Sequence, residues 1–260
     1  TPFLYSFYVV LPPNYHKKMC YFRDMILPNY IAKKLKHFCI LIAFVFCTNI
    51  SFGQLSFCTG SSGSPIFFED FGSGTTYGPA LPAGITNYAY VNSGFPQDGQ
   101  YTLYYRTNLI PNSSNWLYSL DHTPDNAPNG INGKCLIVNA SNTPGQFYRR
   151  TVTGLCSNTR FEFSAWLLNI YNAASNGCSG SGIPFNVTFE IWDATDTVLL
   201  QSGNTGNISG TSFPNWNQFG LVFTMPATQT SVILKMRNNG SGGCGNDLAI
   251  DDMIQTSRIS

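Results

Sequence analysis

Charge is scarce in this sequence. Asp, Glu, Lys and Arg make up 10% of its 260 residues. Histidine is scarcer still, with three in the chain and only His122 beyond residue 54. No HExxH motif or histidine cluster is present to hold zinc. No GxSxG precedes any serine, so a Ser-His-Asp triad would have to be built on His122 alone. His122 follows Asp121, and that pair reads more simply as a loop-fixing hydrogen bond. The apolar run Phe38–Ile50 has 13 residues, too few to span a bilayer. No convincing amphipathic helical period is present. A basic face is missing as well. Residues 55–260 hold eight Lys and Arg against 12 Asp and Glu, a net charge of −4. Phosphate binding needs the opposite sign, which excludes nucleic acid as a partner.

The first 54 residues differ from the rest and carry a net charge of +5. Met25 is followed by Lys33, Lys34 and Lys36, then by the apolar run, then by Ser51-Phe-Gly-Gln54. A basic region, a short apolar core and a small-residue end are the signature of a secretory signal peptide over 25–54. Residues 1–24 read as an upstream extension outside the fold. The mature part, 55–260, is a single domain expected outside the cell, with no membrane span.

That domain is rich in Gly, Ser, Thr, Asn and aromatic residues. Strand-like runs recur at Ile66–Phe71, Tyr88–Val91, Tyr101–Arg106, Lys134–Ala140, Phe147–Val152, Arg160–Asn169, Asn186–Asp193, Trp216–Met225, Ser231–Arg237 and Asp247–Ile254. Turn clusters separate them. Many short strands without helices predict an all-β jelly-roll sandwich.

Alternation assigns the faces. Phe161, Phe163, Ala165 and Leu167 form one core set, and Val187, Phe189 and Ile191 another. Phe219, Leu221 and Phe223 are a third; Val232, Leu234 and Met236 are a fourth. The opposite positions hold Trp166, Trp192, Glu162, Glu190, Lys235 and Arg237. Flat rings beside polar groups suit a sugar-binding cleft, so Trp166, Glu190, Trp192 and Lys235 are candidate ligand residues. The alternative is that loops cover both tryptophans. Glu162 and Glu190 would serve as a glycosidase pair if their carboxyls lay ~5–9 Å apart.

Five cysteines follow the leader, and export permits disulfides. Spacing leaves connectivity open. The expected pairs are Cys178–Cys244, both in Gly/Ser-rich loops, and Cys58–Cys156. Cys135 lies in an apolar strand and reads as a buried thiol.

The stretch Gly242–Met253, GGCGNDLAIDDM, ends a short strand in paired carboxylates. It is expected to return beside Ile66–Phe71, which carries Glu69 and Asp70. Glu69, Asp251 and Asp252 would then gather hard oxygen ligands of the kind calcium takes. The alternative is that one pair faces solvent and the other accepts backbone N–H bonds, with no metal.

Four motifs carry a resemblance: DHTPD (Asp121–Asp125), GKCLIVNAS (Gly133–Ser141), GLCSNTRFEFSAWLLN (Gly154–Asn169) and NNGSGGCGNDLAIDDM (Asn238–Met253). Together they resemble a β-sandwich domain near the N-terminus of secreted Bacteroidetes surface proteins linked to gliding motility and type IX secretion. More distantly the arrangement is similar to galactose-binding and carbohydrate-binding-module jelly rolls. The resemblance implies a structural calcium on Glu69 and Asp251, with Asp125 as a third ligand. It implies no catalytic activity, and it implies a place within a larger surface protein. Asp196-Thr197-Val198 also fits the O-glycosylation pattern of that group. The expected function is a non-catalytic, adhesin-like surface module. A carbohydrate-binding module is the alternative and a glycosidase fragment the second alternative.

Overall fold

Strands, once formed, have one face to bury, and this chain buries both inner faces against each other. The computed structural model describes residues 62–109, 115–122, 133–175, 177–178, 180 and 182–258. These residues all belong to one unit, Phe52–Ser260. The expected leader at 25–54, the extension at 1–24, Cys58 and Asp125 lie outside the described residues.

Among the described residues there are eleven strands: β1 Ser62–Glu69, β2 Ala89–Tyr90, β3 Gln100–Tyr104, β4 Cys135–Asn139, β5 Gly145–Thr153, β6 Arg160–Asn169, β7 Val187–Asp193, β8 Leu199–Asn204, β9 Asn217–Thr224, β10 Ser231–Asn238 and β11 Leu248–Arg258. They form two sheets. One has seven strands in the order β2-β3-β4-β11-β6-β9, with β1 also paired to β11. The other has four, in the order β5-β10-β7-β8. The fold is an all-β sandwich, and among the described residues no helix is long and apolar enough to cross a membrane.

The core lies between the sheets. The four sets assigned by alternation all point into it, joined by Tyr101, Leu103, Leu136, Val138, Phe147, Tyr148 and Met253. Phe163 of β6 and Phe189 of β7 meet across the layers at 5.5 Å between ring centroids. Burying an aromatic side chain of this size contributes about 1.5–3 kcal/mol.

β11 is the spine of the larger sheet. Leu248–Ile250 pair with β4 on one side and with β6 on the other. Further along, β1 takes the place of β4 and runs antiparallel to β11, with Glu69 opposite Met253. The last strand therefore returns beside the first, as the sequence suggests. It is not half-buried, however. A second apolar cluster (Leu109, Trp116, Ile137, Leu168, Ile170 and Ala249) covers the outer face of this sheet.

A disulfide joins Cys178 to Cys244, 66 residues apart, and so fixes the turn that launches β11. That turn passes close to the chain at Ile183. A Cβ on Gly245 would stand 2.6 Å from the Ile183 backbone nitrogen, and the residue's φ is +101°. Glycine is required there on both counts. Cys135 is a buried free thiol. Cys156 is free and exposed; its expected partner, Cys58, lies outside the described residues.

Candidate functional site

The outer face of the four-stranded sheet carries three cross-strand rows. Register places Arg149 of β5 beside Lys235 of β10, and Lys235 beside Glu190 of β7. On one flank Thr151, Ile233 and Trp192 line up; on the other, Gln146, Arg237 and Thr188. Directly opposed side chains in antiparallel strands touch, so these rows form a network. The Lys235 ammonium lies 4.3 Å from the centre of the Trp192 ring. The Trp192 indole N–H donates to Glu190 Oε2 at 2.6 Å. The other carboxyl oxygen of Glu190 faces Arg237 Nε at 3.6 Å.

Asp196 completes the network from the turn between β7 and β8. Its backbone has φ 60°, a left-handed conformation that Asp tolerates better than most residues. Its carboxylate bridges two cations: Arg149 Nη1 on Oδ2 at 2.8 Å and Lys235 Nζ on Oδ1. The Lys235 ammonium, reinforced by Arg149, holds the Asp196 carboxyl below the usual carboxylate range. Asp193 anchors the same turn by accepting the N–H groups of Thr197 and Val198 at 2.7 and 2.9 Å. Hydrogen bonds, that of Thr195 foremost, lower the Asp193 carboxyl to about 2.

Alongside this network runs a cleft of about 780 Å³. One wall is the 83–87 loop, tied down by the Arg149 N–H donating to Ile85 O at 2.6 Å. The floor and opposite wall are Gln146, Arg149, Arg150, Thr151, Asp196 and Lys235. Arg150 faces the gap between the sheets, with its guanidinium over the Phe67 ring and 3.8 Å from Glu69.

The outer face of the seven-stranded sheet holds a different cluster. The His122 ring stacks on Trp166 at 3.7 Å, 17° from parallel, with Trp216 edge-on at 5.9 Å. The His122 N–H donates to Asp251 Oδ2 at 2.8 Å, and its Nδ1 lies 2.9 Å from Asp252 Oδ2. The Asp252 N–H donates to Asp251 Oδ1 at 2.8 Å. Burial, then the neighbouring Asp252 charge, pushes the Asp251 carboxyl up to about 9. The Trp116 indole N–H donates to Asp247 Oδ2 at 2.9 Å. Burial raises that carboxyl to about 7. Burial also pushes the Cys135 thiol well above its ordinary value. His122 pins the 115–122 segment to β6 and β11, and the His122, Trp166 and Trp216 rings each remain partly exposed.

The structure brings Glu190, Trp192 and Lys235 together, as expected. It separates Trp166 from them. β6 and β7 belong to different sheets, so their outward residues face opposite sides of the sandwich. The same separation parts Glu162 from Glu190 and removes the glycosidase geometry. Glu162 is instead buried against Arg258.

The described residues do not fit the expected calcium ion. Among them no group of three or more His, Cys, Asp and Glu converges as metal ligands. Glu69 and Asp251 lie on adjacent strands but on opposite faces. One extra residue in β11, at Asp252 with φ 45°, separates the pairs Asp251–Trp166 and Ile254–Ser164. That bulge reverses the alternation. Asp251 turns outward, while Met253 and its partner Glu69 turn towards the core. Both acidic pairs accept backbone N–H groups: Glu69 from Phe71, Asp70 from Gly72, and Asp251 from His122 and Asp252.

Arg149, Arg150 and Asp196 do not emerge from single-strand face reading. The adjacent cations in FYRRTV were the available signal.

No family model matches the chain, and no curated protein does. Solved structures do resemble it. A Stig cyclase from Fischerella sp. TAU is 14% identical over 71% of this chain and 89% of that chain, with a TM-score of 0.45. The CBM22-1 xylan-binding domain of Paenibacillus barcinonensis Xyn10C is 10% identical over 78% and 99%, with a TM-score of 0.39. A CBM4 structure is 13% identical over 68% and 81%, with a TM-score of 0.32.

Proposed function

We propose that this domain is a non-catalytic glycan-binding module carried by an exported cell-surface protein of adhesin type. The observation that carries the reading is the ordered row Arg149–Lys235–Glu190 beside Trp192, opening on a cleft of about 780 Å³. Its volume falls within the range of small-molecule sites, roughly 300–1,000 Å³. Sugar hydroxyls need donors and acceptors held in fixed positions. Here ion pairs and cross-strand contacts hold them before any ligand arrives, which lowers the ordering cost of binding. The leader read at 25–54 and the acidic, weakly charged mature chain support an extracellular setting. In the His122 cluster the Asp252–His122 pair is spent on anchoring a loop, which supports a binding role over a catalytic one.

A glycan array tests this. The secreted domain binds a restricted set of glycans, and Trp192→Ala weakens the signal at least tenfold, about 1.4 kcal/mol. Binding to no glycan at all would refute it.

A further inference from the structure

We infer that the cleft selects acidic sugars, and that Asp196 occupies the position where a ligand's anionic group docks between Arg149 and Lys235. The inference rests on the glycan-binding reading and names the ligand class. Eight Lys and Arg serve residues 55–260, and three of them, Arg149, Arg150 and Lys235, line this one cleft. Among the described residues the only carboxylate in its lining is Asp196. The cleft is therefore cationic on a domain that is anionic as a whole, and such a concavity concentrates anions.

Arg149 and Lys235 stand directly opposite each other on adjacent strands, an arrangement in which like charges repel. Asp196 relieves the repulsion with one carboxyl oxygen on each cation. A uronate carboxylate or a sulfate ester presents the same oxygens to the same donors. The exchange is cheap on the protein side. The side chains of Arg149 and Asp196 are 34% and 28% exposed, and ion pairs so open to solvent contribute little. The turn itself is held by Asp193, so Asp196 can swing out with no change in the backbone. Lys235, 11% exposed and packed on Trp192, stays as a fixed cationic post. Arg237 is engaged by Glu190 and Arg150 by Glu69, which leaves Arg149 and Lys235 as the recognition pair.

The test is binding of the whole exported domain to oligogalacturonate, to its neutral methyl ester and to a sulfated oligosaccharide, followed by titration calorimetry at low and moderate salt. At least one anionic probe binds tenfold or more tighter than the neutral ester, and salt weakens it. The identity of that probe distinguishes carboxylate from sulfate. Arg149→Ala abolishes the preference. Asp196→Asn, which leaves both cations in place, raises affinity for the anionic probe several-fold. Equal affinity for acid and ester overturns the inference while leaving glycan binding standing. A drop in affinity for Asp196→Asn, with an unchanged melting midpoint, overturns it too. Failure of every glycan, neutral ones included, removes the underlying reading as well.

Discussion

Lys235 and Trp192 form a cation–π pair, with the ammonium 4.3 Å from the ring centre. The pair couples the cleft to the core, because Lys235 also holds Asp196 and sits between two fully buried neighbours, Leu234 and Met236. Lys235→Met keeps the apolar stem and deletes the charge. Partly desolvated cation–π pairs are worth about 1–2 kcal/mol. Urea unfolding of Lys235→Met is expected to show a loss of that size with an unchanged m-value. A loss below about 0.3 kcal/mol would mean that the pair is not coupled to the fold.

Stability should fall as pH rises. The unfolded chain releases the Asp251 proton near the ordinary value of 3.8, whereas the folded chain keeps it to about 9. Asp247 behaves likewise, with a folded value of about 7. Between these limits the native state binds more protons than the unfolded state, so unfolding free energy decreases with pH. The stabilising proton is fully present below about pH 4 and is lost towards pH 9. Melting midpoints measured from pH 5 to pH 9 should decline. Asp251→Asn should flatten that decline. It should also lower the midpoint at pH 5, since one carboxyl oxygen no longer accepts the His122 or Asp252 N–H. A midpoint that rises over this range would contradict the assignment.

Calcium should leave the fold unchanged. Glu69 and Asp251 are held on opposite faces of one sheet, and both accept backbone N–H groups. Melting curves in calcium and in chelator are expected to coincide. A midpoint several degrees lower in chelator would show that the carboxylates gather around an ion after all.

The Cys178–Cys244 bridge closes a loop of 66 residues and should matter greatly. In the chain-entropy model a loop of that length is worth ~4 kcal/mol, less any strain. Reduction, or Cys244→Ser, is expected to lower stability by about 2–4 kcal/mol in guanidinium titrations. No change on reduction would mean that the Gly245 turn is held by its contacts with Ile183 alone.

Strand identity and face were legible in the sequence because both are local. The alternation in β6, β7, β9 and β10 assigned every core residue correctly. β8 escaped because Leu199–Asn204, LLQSGN, is a polar edge strand with an exposed leucine and no alternating apolar set. Sheet membership was not legible, because hydrogen-bond partners lie far along the chain. Trp166 and Trp192 have the same local pattern and end on opposite sides of the sandwich. The same limit concealed the His122–Trp166 stack, whose partners come from a loop and a strand 44 positions apart in numbering. Glu69 and Asp251 do not meet for a narrower reason. The pairing of β1 with β11 was readable, but the bulge at Asp252 was not, and one extra residue reverses every face beyond it.

The central claim is that the face carrying Arg149, Glu190, Trp192 and Lys235 binds glycan. Amide chemical-shift mapping tests it most directly, with the isotope-labelled domain titrated with the strongest glycan from the array. The account requires saturable shifts confined to the 83–87 loop, Gln146–Thr151, Trp192–Asp196 and Lys235. Shifts centred instead on His122, Trp166 and Trp216, or none at saturating glycan, would contradict it.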